Sequence, residues 1–377
     1  MSMFYELMMK KKGMPSRYQE VEYIESTETQ YIDTGILADN ETGMQVDVQW
    51  LNNIDSVCIG SRGTFTTTRC FIGNTIAGFY FGWNDLGNSR PTHNLNRNVL
   101  SLNFYNNRKK IFNGTDLSDT LQTLATQTGN IYLFVANDNG SASLKSSVKM
   151  YSAQITQGNQ LVRNFIPVYD TLTQKYGMWE SVQGKFYGNA GTGDFKGSIV
   201  GYTVVGSPTI VDGVVSGFSE SNYVYIPNFQ DTNIDDNIEM MLKFETDSIG
   251  NVCYYRLSTS GNALITGYTG SKLNLTISNS LNSGYLNSDL VSSTIYWVKV
   301  IRKNRIYYCD ISTDGITFIN LWTSSTTTEL FNSGTSSNIN LMYKTASFPT
   351  NISQYKLYIK DCYIKKNNKL WFNGQQA

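Results

Sequence analysis

Histidine is nearly absent from this chain: His93 is the single one in 377 residues. That excludes a multi-histidine metal centre and leaves one chance for a nucleophile–histidine pair. His93 sits in Arg90-Pro91-Thr92-His93-Asn94, a polar stretch between aromatic runs, and reads as a loop residue. Charge is also scarce. Lys+Arg 30 balance Asp+Glu 30 and only 16% of residues are charged, so no basic face for nucleic acid is expected. Cys58, Cys70, Cys253, Cys309 and Cys362 make an odd count with no CxxC. They lie mostly in strand-like runs such as Ile306-Tyr307-Tyr308-Cys309-Asp310, and read as reduced thiols used as small core residues. Zinc spacing, a glycine-rich phosphate loop and a nucleophile elbow are all missing. No run approaches the ~18 apolar residues of a membrane helix. At the start, Lys10-Lys11-Lys12 follows the apolar run, the reverse of a secretory leader, so no secretion signal is expected. Neither a cofactor, a metal nor membrane insertion is expected.

What the chain has in quantity is aromatic and small polar residues. Aromatics make 13% and there are 38 asparagines. That composition suits strands joined by polar turns. Gly43-Met44-Gln45-Val46-Asp47-Val48-Gln49-Trp50 alternates cleanly, and Ile295-Tyr296-Trp297-Val298-Lys299-Val300-Ile301 is a second strand pattern. Asn113-Gly114, Asp212-Gly213, Asp314-Gly315 and Asn373-Gly374 punctuate such runs. The best helical stretch, Leu117 to Leu124, is one or two turns at most. The pattern is that of a large all-β sandwich protein.

The halves repeat each other. Tyr31-Ile32 has a counterpart in Tyr225-Ile226, and Lys109-Lys110-Ile111-Phe112 in Asn304-Arg305-Ile306-Tyr307, offsets of 194 and 195. Asn130-Ile131-Tyr132-Leu133-Phe134 matches Asn338-Ile339-Asn340-Leu341-Met342, and Lys149-Met150-Tyr151 matches Lys356-Leu357-Tyr358, offsets of 208 and 207. The order is the same in both halves, which points to duplicated domains. Four glycines in Gly188 to Gly197 mark the join. The expected organisation is an N-terminal peptide (1–13), a first domain (14–197), a short linker (198–207) and a second domain (208–377).

Two motifs carry a resemblance. One is Tyr18-Gln19-Glu20-Val21-Glu22-Tyr23-Ile24-Glu25-Ser26-Thr27-Glu28-Thr29-Gln30-Tyr31-Ile32-Asp33-Thr34-Gly35. The other runs through Leu161-Val162-Arg163-Asn164-Phe165-Ile166-Pro167-Val168, Tyr176-Gly177-Met178-Trp179-Glu180 and Lys185-Phe186-Tyr187-Gly188-Asn189-Ala190-Gly191-Thr192-Gly193. Together they resemble concanavalin A-like, laminin G-like jelly-roll modules of gut bacteriophage virion proteins and gut bacterial surface proteins. The match spans residues 18 to 197. Glu28 departs from it, standing where the family usually has glycine. The second half, from Val214 onward, resembles the same superfamily more loosely. The resemblance implies two tandem antiparallel jelly-roll sandwiches. The motifs themselves read as fold determinants and say nothing direct about a ligand.

Candidate chemistry is sparse. Glu20-Val21-Glu22-Tyr23-Ile24-Glu25 is near the E-x-D-x-x-E pattern of some jelly-roll glycoside hydrolases, where two carboxyls ~5 Å apart act on a bulged strand. Here the middle residue is Glu and the motif lies in the first strand, so solvated carboxylates are expected and no catalytic residue is assigned. Asn137-Asp138-Asn139-Gly140 and Asp231-Thr232-Asn233-Ile234-Asp235-Asp236-Asn237 cluster oxygen side chains that could contribute to a Ca²⁺ shell, but plain turns are favoured. In Phe79-Tyr80-Phe81-Gly82-Trp83-Asn84-Asp85 one aromatic set must be core and the other free for a sugar face. The candidate ligand-binding residues are therefore Trp83, Asn84, Asp85, Asp138 and Asn139. Phe4, Tyr5, Leu7, Met8 and Met9 form an apolar cluster ahead of the jelly-roll match. It reads either as an anchor to another virion protein or as packing against its own domain.

The function expected from the resemblance is a non-enzymatic virion component, a head or tail fibre or decoration protein. It would be made in the host cytoplasm and sit on the virion surface. Its partners would be other virion proteins, through the N-terminal peptide, and host surface glycans; a homo-oligomer stays open. The alternatives are a carbohydrate-active enzyme and a bacterial surface adhesin.

Overall fold

The computed structural model describes residues 13–63, 69–82, 91–105, 109–117, 129–219, 221–227, 233–246, 253–257, 263–268, 272–277, 281–289, 291, 293–325, 339–343 and 355–374. The N-terminal anchor candidates Phe4, Tyr5, Leu7, Met8 and Met9, and the ligand candidates Trp83, Asn84 and Asp85, lie outside the described residues. Among those described there is no α-helix; one 3-10 turn covers Ile359–Asp361. The chain divides into two compact units, Met1–Ser198 and Ile199–Ala377, each built from two sheets.

In the first unit one sheet runs in the order Thr115–Asp116, Lys110–Phe112, Arg97–Asn103, Thr42–Trp50, Ser147–Gln157, Gln160–Asp170, Lys175–Glu180 and Lys185–Tyr187. Tyr18–Glu20 joins it on Gln160–Asp170, and Ile24–Thr27 on Ser147–Gln157. The facing sheet contains Ser141–Ser143, Ala136–Asp138, Ser56–Arg62, Asn130–Leu133 and Ile32–Leu37. Arg69–Thr75 and Gly78–Gly82 extend it from the other side of Ser56–Arg62. Alternation sorts the side chains. Met44, Val46, Val48 and Trp50 turn inward and are buried, with Leu100 and Leu102 beside them. Trp50 meets Phe79 of the opposite sheet at 5.3 Å between ring centroids, and Phe79 meets Phe112 at 5.1 Å. These contacts close the sandwich.

The crossing from one sheet to the other is fastened by the two resemblance motifs. The chain leaves the first sheet at Thr27 and enters the second at Ile32. Between them Gln30, 3% exposed, accepts from the Thr27 N–H (2.8 Å) and donates to the Thr192 carbonyl (3.3 Å). Asn189 Oδ1 accepts from the N–H groups of Tyr31 (3.0 Å) and Gly191 (2.8 Å). Backbone bonds from Ala190 to Tyr31 and from Thr192 to Thr29 complete the clasp. A Cβ on Gly191 would collide with the Thr29 carbonyl, so only glycine fits there. Glu28, in the same crossing, has φ 79°, the left-handed region that glycine adopts freely. The departure from the family pattern is thus accommodated as a strained backbone, with the fold intact.

Ile199–Ala377 repeats the plan. One sheet orders Thr203–Val205, Tyr223–Ile226, Ile339–Tyr343, Cys253–Leu257, Ala263–Tyr268, Lys272–Ile277 and Leu281–Asp289. The other orders Thr209–Val211, Val214–Ser216, Lys356–Tyr358, Ile238–Thr246, Thr294–Lys303, Ile306–Ser312 and Ile319–Thr323, with Tyr363–Lys366 and Lys369–Asn373 attached. Val224, Ile226, Ile339 and Leu341 from the first pack with Leu242, Phe244, Val298, Val300 and Leu357 from the second. Strands carrying the repeat anchors pair alike in both units. Ile32–Leu37 pairs Asn130–Leu133 as Tyr223–Ile226 pairs Ile339–Tyr343. Lys110–Phe112 pairs Arg97–Asn103 as Ile306–Ser312 pairs Thr294–Lys303.

Residues 198–207, expected as a linker, are folded. Ser198 Oγ accepts from the Glu22 N–H at 2.8 Å, Val200 bridges Phe372, and Thr203–Val205 pairs Tyr223–Tyr225. Val204 also packs against the second core, which is why the chain continues as strand rather than spacer. Asn113-Gly114, Asn139-Gly140 and Asp212-Gly213 each have two successive positive φ values, the type I′ geometry of two-residue hairpins. Asn304-Arg305 and Asn367-Asn368 do the same without glycine. Asn373-Gly374 is no hairpin: Gly374 donates its N–H to the Cys362 carbonyl after the last strand. Cys58, Cys70, Cys309 and Cys362 are buried free thiols, and burial pushes the Cys309 and Cys362 thiols up to about 12. The side chain of Cys253 lies outside those described.

Two outcomes are expected from this architecture. Glu28→Gly should stabilise the first unit by about 1 kcal/mol, because a left-handed non-glycine residue costs roughly 1–2 kcal/mol. Calorimetry would then show a rise of about 2–4 °C in its transition; an unchanged or lower midpoint would contradict the strain. Asp170, 1% exposed, accepts from Arg17 (2.6 and 2.5 Å), Thr173 (2.7 Å) and the Leu172 N–H (3.0 Å). The Arg17 guanidinium, assisted by those donors, holds its carboxyl well below the usual carboxylate range. That contribution is present above the unfolded value near ~3.9 and is lost as pH falls below it. Asp170→Asn should cost about 1.5–3 kcal/mol at neutral pH. The gap between variant and wild type should narrow in melts taken below about pH 4.

Candidate functional site

The alternation that buries Phe79 and Phe81 sends Tyr80 to the outer face of the second sheet of the first unit. Tyr80 is therefore the outward-facing ring of this run among the described residues. Register places its neighbours. Tyr80 lies opposite Gly73, Gly82 opposite Phe71, Phe71 opposite Gly60, and Arg69 opposite Arg62. A Cβ on Gly82 would stand 2.6 Å from the Phe71 ring, so the missing side chain is what lets that ring lie across the strand. Phe71 and Tyr80 are 5.2 Å apart between centroids. With Val57, Ala136 and Leu144 they form a small apolar cluster outside the main core.

This cluster floors a trough of about 170 Å³ whose rim is polar. Asp55, Asn74 and Thr75 stand at one end and Arg62 and Arg69 at the other. Asp138 is the register partner of Arg62 across the one short parallel pairing of the sheet, and its carboxylate is 3.7 Å from the guanidinium. Of the predicted ligand residues, Asp138 is thus brought to the arginine end. Asn139 occupies the hairpin turn beyond it, with φ 51°. The residues that line the trough were not singled out in the sequence. The signal available was the mirrored placing of Arg62 and Arg69 about the segment 63–68, which a hairpin would bring face to face.

The calcium reading of 137–140 gives way to a turn. Asn137, 2% exposed, donates to the Asn130 carbonyl (2.9 Å) and accepts from the Gly140 N–H (2.7 Å). In the second unit the protein's own cations hold the oxygens of 233–237. Arg302, fully buried, donates to the carbonyls of Asn233 (2.9 Å) and Asp236 (3.1 Å). Asp235 pairs with Arg305 at 2.7 Å and Asp236 with Lys366 at 2.9 Å. Asp231 and Thr232 lie outside the described residues. Among the described residues no group of three or more His, Cys, Asp or Glu converges as a metal site.

Two of the three carboxylates of the hydrolase-like motif fall on different strands, and the third is in the bend between them. Glu20 ends Tyr18–Glu20, opposite Val168, whereas Glu25 is in Ile24–Thr27, opposite Lys149. Glu22 lies between them, 3.9 Å from Arg97, whose guanidinium also binds Asp47 at 2.7 Å and covers the Tyr151 ring at 3.8 Å. Burial pushes the Tyr151 hydroxyl up to about 12. His93 is in the loop after Gly78–Gly82, 5.7 Å from the Phe79 ring, and burial lowers its pKa. A second, more open hollow of about 400 Å³ lies between Asp33 and Lys185-Phe186-Tyr187. There Asp33 accepts from Asn130 (3.1 Å) and the Lys185 ammonium stands 4.8 Å from the Tyr187 ring.

No family model matches the chain, and no curated protein matches it. Among solved structures it is similar to domains LG4-5 of the mouse laminin alpha1 chain, at 8% identity over 95% of this chain and 92% of that one, TM-score 0.27. It is similar to lectin II from Ulex europaeus, at 10% identity over 44% of this chain and 92% of that one, TM-score 0.30. A third likeness is to NanB sialidase from Streptococcus pneumoniae, at 10% identity over 79% and 74%, TM-score 0.23. The fold is assigned here from strand order and pairing, not from likenesses of this size.

For the 137–140 turn, Asn137→Ala should cost about 0.5–1.5 kcal/mol, since it removes the two hydrogen bonds that tie the turn to the backbone. Millimolar Ca²⁺ should leave the melting midpoint of wild type unmoved; a rise with Ca²⁺ that is lost in Asp138→Asn would restore the metal reading.

Proposed function

We propose that this chain is a non-enzymatic bacteriophage virion protein, a head or tail fibre or a decoration protein, that displays jelly-roll units toward host glycans or neighbouring subunits. The observation that carries the binding part is the outer-face trough. An aromatic floor with carboxylate, amide, hydroxyl and guanidinium groups on its rim is the surface chemistry of sugar recognition. The break between the strands of Glu20 and Glu25, with Glu22 in the bend between them and 3.9 Å from Arg97, supports binding rather than the single bulged strand on which such hydrolases carry their carboxyl pair. The virion part is supported by the opening and closing motifs of residues 18–197 and by their resemblance to phage modules.

In this reading the N-terminal peptide holds the protein to another virion protein. As a strand, Tyr5, Leu7 and Met9 share one face; as a helix, Phe4, Leu7 and Met8 do. Burying one medium apolar side chain contributes ~1.5–3 kcal/mol, so three anchors outweigh the ordering of a short peptide. The jelly rolls then project from the virion surface.

The test is purification of intact particles carrying wild type or a chain lacking residues 1–12. Wild type should copurify, and the truncated chain should fold with an unchanged melting midpoint while its particle occupancy falls at least tenfold. Full occupancy without the peptide would move attachment to the jelly rolls. Absence of wild type from purified particles would overturn the virion reading.

A further inference from the structure

We infer that the trough on the outer face of the first unit binds an acidic saccharide, with the anionic group of the sugar held between Arg62 and Arg69. This deepens the glycan-display reading and rests on it.

The warrant is a charge arrangement that the fold does not need. Arg62 and Arg69 are direct cross-strand partners on one face. Like charges placed so are destabilising. One carboxylate, Asp138, approaches the pair, at 3.7 Å from Arg62 and with both side chains about a third exposed. Arg69 has no ion pair or hydrogen bond among the described residues, and its Nε is buried without an acceptor. A guanidinium presents its N–H groups in a planar fork that matches a carboxylate or sulfate, and it cannot shed its charge to escape burial. An incoming anion would supply the acceptor that Arg69 lacks and relieve the repulsion between the two arginines.

The rest of the trough suits a sugar ring on that anion. Tyr80 offers apolar ring surface next to the arginines, backed by the buried Phe71 ring. Asp55, Asn74 and Thr75 stand at the far end, where they can meet hydroxyl groups. Asp55 also repels a second anionic group, so the trough has a direction: acid group toward Arg62 and Arg69, hydroxyls toward Asp55. A volume of about 170 Å³ holds one ring rather than an extended chain. A neutral sugar would leave the Arg69 Nε unmatched and gain little at that end.

The experiment is binding of the full-length protein to an array carrying neutral, uronic, sialic and sulfated glycans. Wild type, Arg69→Gln and Asp138→Asn would be compared after melts confirm folding. Arg69→Gln removes no bond found among the described residues, so its fold should persist; Arg69→Lys serves as the second variant. Wild type should bind one or more acidic glycans and not their neutral counterparts, more weakly as salt rises. Arg69→Gln should lose at least tenfold and Arg69→Lys should fall between. Asp138→Asn should bind the same glycan several-fold more tightly, because it frees Arg62. Binding of neutral and acidic glycans alike, or acidic binding that survives Arg69→Gln, would overturn the inference while leaving the glycan-display reading standing. Retention of no glycan by wild type would overturn both.

Discussion

The first unit depends on how the chain gets from one sheet to the other. A two-sheet sandwich must cross its own edge, and at the crossing the backbone has no strand neighbour to satisfy it. Here the crossing lies between Thr27 and Ile32, and its partners come from residues about 160 positions later. Gln30 and Asn189 act as substitute backbone, each offering an acceptor and donors where no strand runs. Glu180 does the same further along, fully buried and accepting from the N–H groups of Asn164, Val182 and Gln183. The side chains that make up the resemblance are therefore the ones that pair orphaned backbone, which is a reason for them to be fold determinants rather than ligand residues.

With the crossing fixed, the two faces of the second sheet acquire different jobs. The inner face, with Cys70, Ile72, Phe79 and Phe81, is committed to the core. The outer face carries a satellite cluster around Phe71, too small to recruit another layer of structure, and glycines at positions 60, 73 and 82 keep its floor low. The outer face of the other sheet is filled by its own groups: Arg97 bridges Asp47 and Tyr151, and Lys149 lies over Tyr23. Charge on that face is internally matched. At the trough the Arg69 Nε is buried without an acceptor among the described residues.

The second unit reuses the pairing plan with a different solution at its rim. Arg302 continues the inward row of Tyr296, Val298 and Val300, where an apolar residue would be expected. It is tolerated because the carbonyls of Asn233 and Asp236 accept its N–H groups and the Tyr307 ring lies beside it. The same oxygens looked, in the sequence, like a cation loop. In the structure the segment is the turn that was favoured: Arg302 takes its main-chain carbonyls, and the side chains of Asp235 and Asp236 pair with Arg305 and Lys366.

Much of the fold was legible in the chain itself, because strand alternation, turn dipeptides and repeated anchors are local properties. Thr42–Trp50, Thr294–Lys303 and two of the four two-residue turn signals, Asn113-Gly114 and Asp212-Gly213, announced themselves through period and φ preference. The linker did not, since Val200 and Val204 become strand only by meeting Phe372 and the second core. The candidate site was legible only at Asp138. Arg62, Arg69, Phe71 and Tyr80 come from three strands whose register decides which residues stand side by side, and register is set by packing across the whole sheet. The sequence by itself determined an all-β chain of antiparallel strands with few charges and no long helix. Only the tertiary structure decided which face of each strand met water, and therefore that two arginines seven residues apart would confront each other over an aromatic floor.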